Sequence, residues 1–250
     1  MRRDVRALWR LARAVVHGLH GLTIVLLRFR RLDAAARHAR IRWWAGKMLR
    51  LLGLRLHVDG AFRPGAKLIV ANHVSWLDIM AVHAVCPEAR FVSKAEVRHW
   101  LLVGRLVGAA GTLYLERERR RDAMRVVHQM ADALRAGDTV AVFPEGTTND
   151  GHTLRPFHAN LLQAAIATET PVQPVALRFS DAHSRVSAAT LFVGDTSLAT
   201  SLWLIARADG LAVHLRVLTA QGSSHADRRA LAERLREGII EALAPFEERA

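Results

Sequence analysis

From residue 54 onward, short apolar runs alternate with longer stretches of helical periodicity, and few folds accommodate that alternation. The runs are 54–58, 68–71, 91–93, 112–115, 140–143 and 172–179, with helical stretches near 97–107, 119–135 and 158–168. Two further strand-like runs, 191–193 and 211–218, precede a closing amphipathic stretch over 227–243. The pattern predicts an α/β fold, a layered sheet flanked by helices. No Pro-, Gly- or Ser-rich linker divides 54–250, which is therefore read as one domain, with 1–53 as a separate N-terminal segment.

That N-terminal segment has a different chemistry. The formal net charge is +13, yet residues 1–50 hold 13 Lys or Arg against Asp4 and Asp33, which leaves only +2 for the rest. Ala14 to Leu27 is a 14-residue apolar run between Arg13 and Arg28. As a helix it would extend about 21 Å, short of the roughly 30 Å hydrocarbon core, so it is expected to lie in the membrane interface. No small-residue cleavage site follows it, which is not the pattern of a secretory signal peptide. Asp33 is placed to cap a second helix that ends at Gly53, and Trp43 and Trp44 sit on it amid arginines as a candidate membrane anchor. The two helices are expected to associate with a membrane containing anionic lipid. They carry too much clustered apolar surface for a nucleic-acid-binding arm. One cysteine, Cys86, excludes an intrachain disulfide, and no Cys/His cluster has metal-ligand spacing.

The chemistry gathers where strands end. Asn72-His73-Val74-Ser75-Trp76-Leu77-Asp78 follows the run at 68–71. On one continuous helix His73 and Asp78 would lie about 140° apart. They meet if His73 is on the strand-to-helix turn and Asp78 is one turn into the helix, with Ser75 as N-cap and Asp78 reaching back. Asp78 would then orient the imidazole and leave its other nitrogen basic. The same spacing equally serves a capping aspartate beside a structural histidine. Gly111-Thr112-Leu113-Tyr114-Leu115-Glu116-Arg117 ends another run in a basic cluster. Phe143-Pro144-Glu145-Gly146-Thr147-Thr148 leaves a buried run into a turn, and Glu145 there needs a partner if it is buried. Thr170 to Leu177 holds Pro171 and Pro174, which suits an edge strand or a substrate-lined wall.

Taken in order, Asn72-His73-x4-Asp78, Gly111-x2-Tyr114-Leu115-x-Arg117, Phe143-Pro144-Glu145-Gly146-Thr147 and Pro171-Val172-x-Pro174-Val175 resemble the four blocks of the glycerolipid acyltransferases. The set is most similar to the bacterial 1-acyl-sn-glycerol-3-phosphate acyltransferases and covers roughly residues 40–220. The resemblance implies transfer of a fatty acyl group from an acyl thioester, acyl carrier protein or coenzyme A, to a lysolipid hydroxyl. It implies no other cofactor and no metal, and a place on the cytoplasmic face of the inner membrane. His73 and Asp78 would be catalytic; Asn72, Ser75, Lys94, Arg117, Glu145, Gly146 and Thr147 would bind substrate. Lys94 and Arg117 match positions that contact the acceptor's phosphate, and backbone amides from Pro144 to Thr147 are candidates for the oxyanion. Lysophosphatidate is the acceptor the resemblance favours. Thr148, where many such relatives carry arginine, and His158, where many carry lysine, point instead to an acceptor such as lyso-ornithine lipid. A membrane lipid-binding protein without activity is the other class of reading. An esterase is not supported, since no Gly-x-Ser-x-Gly elbow occurs.

Overall fold

The computed structural model describes residues 2–100, 103–115 and 120–244. Seven strands form one sheet: β1 (Arg55–Asp59), β2 (Lys67–Ala71), β3 (Ala89–Lys94), β4 (Leu113–Leu115), β5 (Thr139–Val142), β6 (Val172–Ser180) and β7 (Ala212–Val217). Their order is β1-β7-β6-β2-β5-β3-β4. The five strands from β6 to β4 are mutually parallel, while β7 pairs antiparallel with β6 and β1 runs parallel to β7. The helices are α1 (Arg2–Leu27), α2 (Ala34–Leu52), α3 (Leu77–Val85), α4 (Val103–Ala109), α5 (Arg120–Arg135), α6 (Gln163–Ala167), α7 (Leu198–Arg207) and α8 (Arg228–Leu243).

Strands β2 and β5 are buried throughout, as expected where both faces of a parallel sheet are covered. Alternate residues feed two apolar layers. Ile69, Ala71 and Leu177 pack with α2 and α3, and Leu68, Val70 and Ala176 pack with α5 and α8.

Two expectations are corrected here. Residues 191–193 are not a strand, because Phe192 N–H bonds the Val74 carbonyl at 3.2 Å and so ties the segment to the turn after β2. Strand β6 is interior rather than an edge, despite Pro174. Its carbonyl accepts from Leu218 N–H at 3.0 Å, so the missing donor would have faced the end of β7, where that chain leaves the ladder. The Leu218 carbonyl is satisfied instead by Gln173 Nε2 at 3.1 Å. An interior proline is tolerated because a side chain replaces its absent N–H.

Helix α1 starts well before the apolar run and is 26 residues long, about 39 Å. Among the described residues Arg3–Leu27 is the one helix long and apolar enough to cross a membrane. This N-terminal apolar helix suggests membrane association. It packs on α2 and α7 through Ala7, Ala14 and His17, leaving Val5, Leu8, Trp9, Val15, Val16 and Leu19 exposed. Part of its charge is already spent. Arg10 donates to the carbonyls of Ala206 and Ala208 at 3.0 and 2.9 Å, Arg6 pairs with Asp209, and Asp4 pairs with Arg207. These arginines cap the last turn of α7, where a helix leaves carbonyls without partners.

Asp33 caps α2 as expected, accepting from Ala36 N–H at 2.7 Å, and Gly53 ends it at φ 94°. The tryptophan pair sits in the seam between α1 and α2. Trp44 donates to the His17 carbonyl at 3.2 Å, His17 Nε2 bonds the Trp44 carbonyl at 3.1 Å, and the two rings stack. Trp43 lies edge-on to His17 and His20. Both indoles are occupied in the seam between α1 and α2, whereas Trp9 is the exposed aromatic of this region, at 63%.

The seam depends on Gly21, where an added Cβ would fall 2.3 Å from Trp44 Nε1; Gly18, one turn earlier, has nothing within 4 Å. Alanine gains about 1 kcal/mol of helix propensity over glycine at either position. Overpacking against a rigid indole costs about 1–3 kcal/mol. Gly18→Ala is therefore expected to raise the melting temperature and Gly21→Ala to lower it, as read by thermal unfolding of the two variants side by side.

Candidate active site

Strand β2 delivers the chain to a turn that a single carboxylate organises. Asp78 is completely buried, and its Oδ2 accepts from His73 Nδ1 at 2.8 Å, Val74 N–H at 2.8 Å and Ser75 N–H at 2.9 Å. Three N–H donors on one oxygen hold the charge without a cation. Because Nδ1 donates to Asp78, the neutral imidazole presents Nε2 as its basic nitrogen. Nε2 makes no hydrogen bond with any described residue, and the His73 side chain keeps 19% of its surface exposed. The ring lies flat on Phe143, 4.0 Å between centroids and 8° between planes. One basic nitrogen is thus aimed at solvent by a fixed ring. His83 on α3 shows the contrasting case. It is buried, bonded to the Ala89 carbonyl at 3.0 Å, and its pKa is pushed down chiefly by burial.

The expected roles of three neighbours do not fit their surroundings. Asn72 is 2% exposed, and both ends of its amide are used by Leu177, at 2.9 Å to the carbonyl and 2.8 Å from the N–H. It clamps β2 to β6, and its burial keeps it from a substrate. Ser75 is fully buried and does not cap the helix through its hydroxyl, which makes no hydrogen bond; its carbonyl instead accepts from Asp78 N–H at 3.1 Å. Asp78 does reach back to the Ser75 N–H, so only half of the capping box forms. Glu145 is 4% exposed. Its Oε1 accepts His73 N–H at 2.8 Å, and its Oε2 accepts Arg155 N–H at 2.9 Å and the Asn149 amide. The partner it needs is thus a set of N–H groups, and it fixes the backbone of His73 rather than facing a ligand.

Asn149 was not legible as a site residue. Besides holding Glu145, it donates its backbone N–H to the His73 carbonyl at 2.8 Å, so the loop after β5 grips His73 on both sides. Its only sequence signal is its place directly after Thr148. Gly146 has φ 73°, and its N–H bonds the Phe143 carbonyl at 3.1 Å, which removes it from the oxyanion candidates. An added Cβ there would meet the His158 ring at 3.1 Å. Thr147 is exposed on this loop, while Thr148 donates its hydroxyl to the Phe192 carbonyl. Lys94 is exposed at the end of β3. Arg117 lies outside the described residues. Among the described residues no group of His, Cys, Asp and Glu could hold a metal ion.

A family model described as Acyltransferase matches residues 54–178. The chain is 36% identical to the lyso-ornithine lipid O-acyltransferase of Pseudomonas aeruginosa over 202 residues, covering 81% of this chain and 77% of that one. It is 35% identical to the 1-acyl-sn-glycerol-3-phosphate acyltransferase of Neisseria meningitidis, covering 75% and 73%. Its fold is similar to the crystal structure of the 1-acyl-sn-glycerophosphate acyltransferase of Thermotoga maritima, with a TM-score of 0.75 at 19% identity over 99% of this chain and 98% of that one.

The Asp78 cluster makes a stability prediction independent of any activity. Asp78→Asn keeps an acceptor but loses the charge, whereas Asp78→Ala leaves buried N–H groups without a partner at about 1–3 kcal/mol each. Urea unfolding should rank wild type above Asn and Asn above Ala, with the denaturant slope unchanged. An alanine variant as stable as the asparagine one would show that the carboxylate does not hold the turn.

Proposed function

The chain belongs to the glycerolipid acyltransferase family, and from that premise we propose that it transfers a fatty acyl group from a thioester to the free hydroxyl of a lysolipid. The observation that carries the reading is His73, held by Asp78 with Nε2 unbonded. Nε2 takes the acceptor's hydroxyl proton as that oxygen attacks the thioester carbonyl. When the tetrahedral intermediate collapses, the carbon–sulfur bond breaks and the imidazolium returns the proton to the leaving sulfur. General base catalysis of this kind contributes about 10²–10⁴-fold. Thr147 and Thr148 N–H, which make no hydrogen bond with any described residue, are the amides proposed for the oxyanion. The acyl group passes directly, and the reaction calls for no cofactor beyond the acyl carrier protein or coenzyme A that carries it.

The proposed acceptor is 1-acyl-sn-glycerol-3-phosphate, with phosphatidic acid as product and Lys94 as a partner for the phosphate. One observation favours a second reading. Residue 148 is a threonine whose hydroxyl is engaged by Phe192, so it offers no cation to a phosphate, and a lyso-ornithine lipid would need none there. The exposed apolar row of α1 is proposed to lie in the interface of a membrane with anionic lipid. Since acyl carrier protein and coenzyme A are cytoplasmic carriers, the site would face the cytoplasm.

Acyl transfer to lysophosphatidate and to lyso-ornithine lipid, measured on the purified protein, tests the proposal. Lysophosphatidate should give the higher kcat/KM. A preference for lyso-ornithine lipid would favour the second reading, and transfer to neither would remove both.

A further inference from the structure

A recess of about 310 Å³ opens at the edge of the sheet, where β4 meets α5. Its polar lining is Arg98, Thr112, Tyr114, Arg125 and Gln129. Thr112 is spent on the Val107 carbonyl at 2.8 Å. The others are not spent. The Arg98 guanidinium touches only the face of the Tyr114 ring, 5.9 Å from its centroid, and the Tyr114 hydroxyl is buried without a hydrogen bond. Arg125 and Gln129, exposed like Arg98, make no hydrogen bond or ion pair with a described residue either, and none of the described lining residues is a carboxylate. Arg90 and Arg236, by contrast, pair with Asp138 and Glu233. A buried phenol without a partner is costly, and an anion entering beside it would accept from the Tyr114 hydroxyl and from the exposed Arg98 and Arg125 guanidiniums. Burial pushes the Tyr114 pKa up, so its hydroxyl is a donor at neutral pH.

The strand register locates this recess relative to the dyad. Val70 pairs with Val142, Ala141 with Phe91, and Val92 with Leu113. Tyr114 is therefore level with Ala71, two residues below His73 and three strands across. At the usual strand spacing and rise that separation is roughly 16 Å. The acceptor's phosphate is only a few bonds from the hydroxyl that His73 deprotonates, so it cannot reach the recess while that hydroxyl is on Nε2. A thioester donor has its own phosphate, set off from the reacting carbonyl by a whole pantetheine arm, and that arm can span the distance.

We propose that the recess lined by Arg98, Tyr114, Arg125 and Gln129 holds the phosphate of the phosphopantetheine arm that acyl carrier protein and coenzyme A share. The inference rests on the acyl-transfer reading above and assigns the donor an anchor separate from Lys94. It also makes the protein indifferent to which carrier bears the arm, because the recognised group is common to both.

The test uses the full-length Arg98→Gln/Arg125→Gln variant with three donors: acyl-coenzyme A, acyl carrier protein thioester, and acyl-pantetheine, which lacks the phosphate. Hydrogen bonds to a charged group support an expected rise of about tenfold or more in KM for both phosphate-bearing donors. The acceptor KM and kcat should stay within about twofold, and the variant should match wild type on acyl-pantetheine, since the two losses report one contact. Equal loss on acyl-pantetheine, a shift in acceptor KM, or unchanged donor KM would overturn the assignment. Loss confined to the carrier-protein donor would mean contact with that protein's surface, and loss confined to coenzyme A contact with its nucleotide; either also overturns it. Tyr114→Phe, which removes one oxygen, is the second variant and should raise the same two KM values severalfold. If wild type transfers from none of the donors, it is the acyl-transfer reading that fails, not the recess.

Discussion

One buried carboxylate oxygen governs this molecule. Asp78 Oδ2 collects the imidazole and two backbone N–H groups within 2.9 Å, and the turn that joins β2 to α3 has its shape because those donors converge. Positioning and chemistry are thereby the same interaction. The bond that selects the imidazole tautomer also fixes the backbone that carries it. Glu145 repeats the device from the other side, using an adjacent strand end to hold His73 N–H. Two buried acids, each holding N–H groups rather than cations, place one histidine, with Asp78 using one of its two oxygens. The sheet's contribution is to bring the ends of β2 and β5 side by side.

Much of this could be read from the chain, and the failures have physical causes. Strands with buried faces were visible as apolar runs, since burial on both sides of a parallel sheet demands them. The run at 191–193 misled because three apolar residues do not distinguish a strand from a loop pinned over a site. Pro174 misled because its missing donor is compensated by the Gln173 side chain, a contact no periodicity reports. His73 and Asp78 were legible as a pair because a helix cap and an orienting carboxylate need the same spacing. Asn72 and Ser75 were over-read for the same reason: residues beside a reactive group are as often its scaffold, and both are buried here. Asn149 was invisible, since neither its backbone bond to His73 nor its side-chain bond to Glu145 follows any sequence period.

The N-terminal helices correct a simple view of basic charge. Arg6 pairs with Asp209, Arg10 caps α7, and Trp44 is bonded within the α1–α2 seam. These residues attach the helical pair to the body. What remains free to meet a lipid surface is the apolar row of α1, with Trp9 and Leu8. The helical pair is thus built as an extension of the acyltransferase body, which fixes the orientation of the site relative to α1.

The central claim is that His73 acts as the base, and it is tested most directly by His73→Gln. Glutamine retains an N–H donor for Asp78 but has no basic nitrogen to accept the hydroxyl proton. The account predicts that acyl transfer to a lysolipid falls by about 10²–10⁴-fold, while the melting temperature stays near that of the wild type. A folded His73→Gln protein that transfers acyl groups at close to the wild-type rate would contradict it.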